Sequence, residues 1–426
     1  MTTIRYWLGA AIAVGTVLVL CGCSALSMSG GQTIEGRDGD FSTEEWANAF
    51  TYDGTLDTGQ TVALTRSAMI FSKDGRYLAA AKMNCCDRCA ILVWDVRKQI
   101  LISTLTFDED ETPKSLAFSP DTRTLLLAST SSRVGPSNVA VVRLWDVGRN
   151  LCVRELDDPN RTWVSTPVFS TDGKALAIIG GSEDTCSVQF VDLASGCVIH
   201  EIEGGYDDQI AFGTNGKTIA SGVGLASGPG IAIRRMSQRL AVENTLAIDC
   251  RDCRIVGLFF DGQGRLCAGL SDTKGSHNGV MVWGASHKPR PMFYPYSGGA
   301  AASSATISSL PYEELRGTSF CPARSAVMMW GAKAFEVWRL DAGSPKRLVA
   351  MRVEGDDSIG VAEISPDGST IAALSVWSGK IHLWQNSRMY RLSGGYQNVS
   401  ERLDCTCGPD FTTFSRVGRR WLRPED

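Results

Sequence analysis

Histidine is scarce in this sequence, with four residues among 426, and the four are scattered along the chain. The zinc-peptidase motif HExxH is absent, as are the Gly-x-Ser-x-Gly, P-loop and dinucleotide-binding motifs. The sequence also has no excess of positive charge, because it contains 42 Lys and Arg residues and 46 Asp and Glu residues. These absences argue against the common hydrolases, nucleotide-dependent enzymes and nucleic-acid binding, and we expect a protein that is not an enzyme.

The N-terminal apolar run is too short for a transmembrane helix. It extends over residues 6–20, about 15 residues, whereas a helix needs roughly 20 to cross a bilayer. Arg5 is the one charged side chain before it, and the small-residue sequence Leu-Cys-Gly-Cys follows at residues 20–23. A basic start, a short apolar stretch and a small-residue cleavage site are typical of a signal peptide.

The Leu-x-Gly-Cys ending resembles the lipobox of bacterial lipoproteins, in which the last cysteine receives a diacylglyceryl group and becomes the new N-terminus. The resemblance implies a signal peptide over residues 1–22 and lipid attachment at Cys23. Residues 23–50, rich in Gly, Ser, Asp and Glu, then form a flexible tether. We expect a protein of the cell envelope, lipid-anchored to a membrane and facing the periplasm or exterior. An ordinary cleaved signal peptide and an uncleaved anchor remain alternatives.

One pattern recurs seven times after the tether. An apolar residue precedes Ser-x-Asp-Gly or a variant, an apolar strand, a loop and a second apolar strand that often ends near Trp, as in FSKDGRYLAAA (71–81) with ILVWDV (91–96). The period is about 45 residues where no insertion intervenes, which is the length of one four-stranded propeller blade. The copies begin at Phe71, Phe118, Phe169, Phe212, Phe260, Phe320 and Ile364.

The residue types within each copy support strands stacked between neighbouring sheets. Asp-Gly and Asn-Gly allow the positive φ angles of a tight hairpin turn. Stretches such as residues 90–96 are apolar on both faces, as a strand covered on both sides must be. The outer strands predicted at 100–105, 152–156 and 197–202 alternate more, as edge strands do. The sequence therefore predicts an all-β propeller of four-stranded antiparallel blades over residues 51–426.

Seven blades are expected, and eight remain an alternative that depends on how the ring closes. Residues 60–65 could pair as an outer strand in the last blade. The segment RLSGG after Tyr390 could supply that strand instead, and residues 407–422 look like a shortened eighth copy.

Trp94-Asp95 and Trp145-Asp146, each closing a third strand, make the chain resemble the WD-repeat family of propellers over about residues 60–422. The Gly-His dipeptide of that family is missing from every copy, so its His/Ser/Asp/Trp hydrogen-bond tetrad is not expected here. Blades held mainly by apolar stacking would be closer to the looser propellers of the bacterial envelope.

Cysteines cluster in loops that a propeller places on one face, and these loops either precede first strands or join second and third strands. Disulfides are the favoured interpretation, with metal binding and free thiols as alternatives. The two CxxC units fall in copies one and five and are too far apart to share zinc, so no metal or cofactor is expected. The candidate disulfide cysteines are Cys85, Cys86, Cys89, Cys250, Cys253, Cys405 and Cys407.

Acidic residues recur in the loops that enter successive blades, and these loops would surround the channel on the same face. A negative collar there would suit a basic partner, although Asp is also common in turns because its side chain caps backbone amides. The candidate docking residues are Asp108, Glu109, Asp110, Glu111, Asp157, Asp158, Asp207, Asp208, Asp356 and Asp357.

The sequence favours a membrane-anchored envelope lipoprotein that acts as a non-catalytic scaffold or recognition module for an unidentified protein partner. This step rests on analogy with other propellers. The alternative is a propeller enzyme of the lactonase or lyase type, with a divalent metal in the central channel. A structural coat lipoprotein with no dedicated ligand is a third, weaker possibility.

Overall fold

The structure is a computed structural model, and it describes residues 50–386 with internal gaps. All the described residues belong to one compact unit, Gly31–Asp426. For Asp157, Asp158, Glu203 and Arg352 only the backbone is described. The gaps are residues 59–68, 83–88, 109, 133–138, 159–160, 166, 183–184, 204–208, 226–227, 237–239, 273–274, 276, 285–290, 299–313, 341–344, 353–357 and 377.

Seven antiparallel sheets make up the described part of the chain, which confirms the seven-bladed propeller and excludes the eight-bladed alternative. The first strand of each blade is innermost and the fourth is outermost. Blade one contains β2 (Met69–Phe71), β3 (Tyr77–Lys82), β4 (Ala90–Asp95) and β5 (Ile100–Thr106). Blade two contains β6 (Glu111–Phe118), β7 (Thr124–Ser131), β8 (Val139–Asp146) and β9 (Leu151–Asp158).

Blade three has its first strand in two pieces, and both pair with the second strand. Its strands are β10 (Trp163–Val164), β11 (Val168–Phe169), β12 (Ala175–Gly181), β13 (Cys186–Asp192) and β14 (Val198–Glu203). Blade four contains β15 (Ile210–Phe212), β16 (Thr218–Leu225), β17 (Gly228–Arg235) and β18 (Val242–Ala247). Blade five contains β19 (Arg254–Phe260), β20 (Leu266–Ser271), β21 (Gly279–Trp283) and β22 (Met292–Pro295).

The last two blades complete the ring. Blade six contains β23 (Gly317–Cys321), β24 (Ala326–Trp330), β25 (Ala334–Arg339) and β26 (Lys346–Arg352), with a short 3₁₀ turn at Pro322–Arg324. Blade seven contains β27 (Ile359–Ile364), β28 (Thr370–Ser375) and β29 (Lys380–Asn386), and its outer strand is β1 (Phe50–Asp57). No helix in the described part of the chain has the length and hydropathy needed to cross a membrane.

Ring closure differs from the sequence prediction. The outer strand of blade seven is β1, which runs antiparallel to β29 from Phe50 opposite Asn386 to Asp57 opposite Lys380. It is neither residues 60–65 nor the segment after Tyr390, both of which lie outside the described residues. The segment was missed because β1 is mostly polar and resembles tether sequence, whereas such polarity is natural in an edge strand with one face in water.

Apolar side chains fill the spaces between neighbouring blades. All six residues of β4 are buried, which confirms that this strand is covered on both faces. One cluster joins Ile91 and Val93 of blade one to Leu125 and Leu127 of blade two. Burying a side chain of this size contributes about 1.5–3 kcal/mol, so each junction between blades is a large source of stability.

The Ser-x-Asp-Gly segment closes the hairpin between the first two strands. In blade one, Ser72 Oγ donates to Asp74 Oδ1 (2.6 Å), Arg76 N donates to Asp74 Oδ1 (3.1 Å) and Tyr77 N donates to Ser72 Oγ (2.9 Å). Gly75 adopts the left-handed conformation that this turn requires, at φ 70°. The same three bonds recur in blades two, three and seven.

Blade two has a threonine where this turn requires a left-handed residue, and this predicts a stabilising substitution. Thr122 has φ 63°, whereas the equivalent Gly173 of blade three has φ 70°. A β-branched residue is strained there by about 1–2 kcal/mol, so we expect Thr122→Gly to raise the free energy of unfolding by about 1 kcal/mol. Chemical denaturation would measure it, with Gly173→Thr as a control that should lower stability. A neutral or destabilising Thr122→Gly would contradict the prediction.

Candidate functional site

The face that carries the outer-to-first-strand and second-to-third-strand connections is here termed the upper face. Asp108, Asp110 and Glu111 lie on it between blades one and two, but their carboxylates already have partners. Glu111 is 1% exposed, and it accepts hydrogen bonds from Arg143 Nη1 and from Ser129 Oγ (2.8 Å). Glu111 therefore neutralises a buried arginine inside blade two and does not reach a docking surface.

Asp108 and Asp110 are closer to solvent. Asp108 Oδ2 lies 3.4 Å from Arg143 Nη2, and Asp110 Oδ2 accepts a hydrogen bond from Ser131 Oγ (2.7 Å). Burial of Arg143 opposes its charge, but hydrogen bonds and attraction from Glu111 and Glu155 outweigh this and raise the pKa of Arg143. The arginine thus stays charged and offsets part of the acidic loop.

The structure does not describe the side chains of the remaining acids of the predicted collar. Asp157 and Asp158 end β9, where their backbone pairs with β8. Glu109, Asp207, Asp208, Asp356 and Asp357 lie outside the described residues. The basic-partner docking face therefore stays a prediction.

Of the candidate cysteines, Cys250 and Cys253 form a disulfide in the loop between β18 and β19. Cys89 is buried at the end of the loop before β4 and is a free cysteine, so its predicted disulfide is not formed in this structure. Disulfides of Cys85, Cys86, Cys405 and Cys407 stay predictions, since these residues lie outside the described residues, as does Cys23.

A four-residue cluster on blade five is the feature that sequence reasoning did not find. Cys250 and Cys253 meet Asp272 and His277, which lie in the loop between β20 and β21, and one potential ligand atom from each residue lies within 4.8 Å of the other three. Among the described residues, this is the cluster of His, Cys, Asp and Glu side chains that could hold a metal ion. Its signal was a CxxC in one upper-face loop and an Asp and a His in the adjacent loop of the same blade.

The loop that carries Asp272 and His277 is held by its own hydrogen bonds. Asn278 is buried, and its Oδ1 accepts from the backbone N–H of Asp272 (2.8 Å). The Asp272 Oδ2 atom accepts from the backbone N–H of His277 (3.2 Å) and lies 3.1 Å from the ring Nδ1 of the same histidine. The carboxylate and the imidazole are therefore fixed side by side.

The CxxC turn is positioned by packing. Cys253 is buried, and Cys250 packs against the apolar cluster shared by blades four and five. Gly228 of β17 lies so close that a Cβ there would be 3.3 Å from the carbonyl oxygen of Cys250, and its φ is +131°. A side chain at this glycine would therefore press on the turn that holds both sulfur atoms.

A carboxyl group with a raised pKa lies between the inner strands of blades six and seven. Glu363 of β27 accepts a hydrogen bond from Ser319 Oγ of β23. Glu363 remains partly accessible, but protein surrounds its carboxyl group, and this desolvation raises its pKa to about 8, against the opposing effect of the serine hydrogen bond. Between pH 4.5 and about 8 the carboxyl group is therefore protonated in the folded protein, whereas in the unfolded chain, where its pKa is 4.5, it is ionised.

This proton predicts how stability changes with pH. Because the folded state binds the extra proton, the contribution of Glu363 to stability is greatest below pH 4.5 and is lost as the pH rises towards 8. We expect Glu363→Gln to raise the melting temperature at pH 8 and to flatten its fall between pH 5 and 8. Thermal melts across this range would measure the change, with Glu243→Gln, an exposed ion-paired glutamate, as control. Parallel wild-type and Glu363→Gln curves would show that the carboxyl group titrates normally.

Large apolar side chains are exposed at the start of the outer strands of blades one to four. These eight residues, here termed the rim arc, are 43–56% exposed, although they are Ile, Leu and Val. They are Ile100, Leu101, Ile102, Leu151, Val153, Val198, Ile199 and Val242. Large contiguous exposed apolar patches on a protein surface are typical of interaction sites.

Hydrogen bonds connect the first three blades along this arc. Ser103 Oγ of blade one donates to Asn150 Oδ1, in the turn just before β9 of blade two (2.8 Å). Arg154 Nη2 of blade two donates to the carbonyl oxygen of Ala194, in the turn before β14 of blade three (3.2 Å). The outer strands of blades one and two thus each contact the turn at which the next apolar patch begins, so the patches of blades one to three are neighbours on one rim.

Comparison with solved structures supports the fold. A chain in the crystal structure of the mitotic checkpoint complex has a TM-score of 0.57 and 14% identity, and the match covers 84% of this chain and 99% of that chain. Hydrazine synthase of Kuenenia stuttgartiensis has a TM-score of 0.61 and 13% identity, with 78% and 97% covered. No family model and no curated protein matches the sequence. At these identities the likeness shows the propeller fold alone.

Proposed function

We propose that this protein is a lipid-anchored component of the cell envelope whose propeller binds another protein and carries out no catalysis. The rim arc is the observation that carries this proposal. The propeller core is already filled, so its exposed aliphatic residues are best explained by a partner that covers them.

The structural likenesses are compatible with this role without deciding it. One similar fold is found in the mitotic checkpoint complex, which by its name is an assembly, and another is found in hydrazine synthase, which by its name is an enzyme. The proposal of a binding role therefore rests on the surface of this chain. The lack of hydrolase and nucleotide-binding motifs points in the same direction.

The partner is expected to be largely apolar where it meets the rim arc. The rim arc lies at the ends of the outer strands opposite to the upper face, so a basic patch is expected on a part of the partner that extends along these strands to the acidic loops. Rim aliphatic contacts would supply affinity, because apolar area removed from water contributes roughly 25 cal/mol per Å² before the cost of association. Attraction by exposed carboxylates such as Asp108 would mainly speed association, and salt would weaken it.

Site-specific photo-crosslinking in intact cells tests the binding surface. A photo-reactive residue at Leu101 or Val198 should give a discrete heavier product containing one partner protein, and Thr55, exposed on the outer strand of blade seven, serves as the control position. Charged substitutions Leu151→Asp and Val153→Asp should abolish that product without lowering the melting temperature, because both residues are exposed. Equal crosslinking from Thr55, or none from the arc, would contradict a docking role for it.

The proposed anchor is tested separately. We expect native protein to begin at Cys23 and to carry acyl chains, which intact-mass spectrometry would detect directly. Cys23→Ser should remove the acyl mass and move the protein from the membrane to the soluble fraction, since dual acylation is what makes membrane binding stable. A native chain without acyl groups would show that the cysteine is incidental.

A further inference from the structure

The cluster on blade five has the donor set of a zinc site. Two cysteine sulfurs, one imidazole nitrogen and one carboxylate oxygen lie within 4.8 Å of one another. Zinc favours four ligands in tetrahedral geometry, and nitrogen and sulfur ligands with a CxxC spacing are typical of it. Soft thiolates also select against calcium and magnesium, which prefer oxygen ligands.

Zinc binding would require only a local change in the distances between the four ligand atoms. In a tetrahedral zinc site the ligand atoms are about 3–4 Å apart, because zinc–ligand bonds are about 2.0–2.3 Å long. Each of the four atoms already lies within 4.8 Å of the others, and the two sulfurs are bonded to each other. Opening this bond would let Cys250 and Cys253 separate while Asp272 and His277 stay in place.

The surroundings suit an ion that enters from solvent. Cys253 and Asp272 are buried, whereas the side chain of His277 is 43% exposed and forms the open side of the cluster. The loop bonds through Asn278 hold the aspartate and histidine, and Gly228 leaves room for the CxxC turn. Groups held in position by such bonds lose little freedom when a metal binds.

The disulfide itself contributes little as a staple. It joins residues three apart in sequence, and the stabilisation that a bridge gives by restricting the unfolded chain is smallest for such short loops. The structural role alone therefore does not account for two cysteines placed beside an aspartate and a histidine.

We propose that blade five carries a redox-controlled zinc site formed by Cys250, Cys253, Asp272 and His277. A dithiol reductant opens the disulfide by exchange, so that the reductant becomes a disulfide and both cysteines become thiols. Zn²⁺ then displaces the two thiol protons to solvent and forms two Zn–S bonds, one Zn–N bond and one Zn–O bond. A disulfide oxidant reverses the change: it takes two electrons from the thiolates and two protons from solvent and becomes a pair of thiols, while the Cys250–Cys253 bond re-forms and the ion is released.

The test uses the full chain and Zn²⁺ as the probe. The protein is reduced under anaerobic conditions with a phosphine, which becomes the phosphine oxide, and zinc affinity is measured by competition with a chelator. Because other cysteines can also bind zinc, the readout is the difference from the Cys250→Ser, Cys253→Ser double variant. We expect reduced wild type to bind one more equivalent than this variant, and oxidised wild type to lack that equivalent.

Single variants then identify the other two ligands. His277→Ala and Asp272→Asn should weaken the extra site by at least about 10–100-fold, while Cys197→Ser, at an exposed cysteine of blade three, should leave it unchanged. Because His277→Ala keeps the disulfide, its melting temperature in the oxidised state checks that the fold is intact. Cobalt substituted for zinc should give tetrahedral d–d bands and sulfur charge transfer that the double variant loses.

Three results would overturn the proposal. Reduced wild type and the double serine variant could bind the same amount of zinc, oxidised wild type could bind as tightly as reduced, or His277→Ala and Asp272→Asn could have no effect. None of these results bears on partner binding at the rim arc, so the proposed function stands or falls by its own experiment.

Discussion

Burial of strands on both faces is the constraint on which the rest of this structure depends. Every residue of β4, β12 and β28 is buried. A blade that had a neighbour on one side alone would therefore leave its other apolar face in water. The need is met only when each blade has two neighbours, and that requires a closed ring. Pairing of β1 with β29 provides the closure and joins the two ends of the described chain in one sheet.

Polar groups inside this apolar architecture are arranged differently from blade to blade. Blade two buries Arg143 against Glu111, whereas in blade six the buried Glu336 accepts from Trp338 Nε1 (2.9 Å). In blade three, Arg161 donates to Ser187 Oγ (2.6 Å). Such networks satisfy groups that would otherwise be costly to bury. They add to the apolar stacking that the absence of a WD-repeat tetrad led us to expect.

The same constraint limits where function can lie. In the part of the chain that the structure describes, blade faces are covered by one another, which leaves the loops, the outer strands and the innermost edges to meet other molecules. The rim arc uses the outer strands of blades one to four, and the proposed zinc site uses two neighbouring loops of the upper face. Both are places where residues can vary without uncovering the core.

The sequence by itself determined the repeat, because apolar strands and Ser-x-Asp-Gly turns are local patterns that can be counted along the chain. The tertiary structure decided which distant residues meet. It placed β1 beside β29, although the sequence of β1 looks like a tether, since an edge strand needs no continuous apolar pattern. It also brought Asp272 and His277 to Cys250 and Cys253, which are 19 to 27 residues away in sequence, because the two loops leave the same end of one sheet. Local patterns record burial, whereas proximity across loops depends on how the strands are connected.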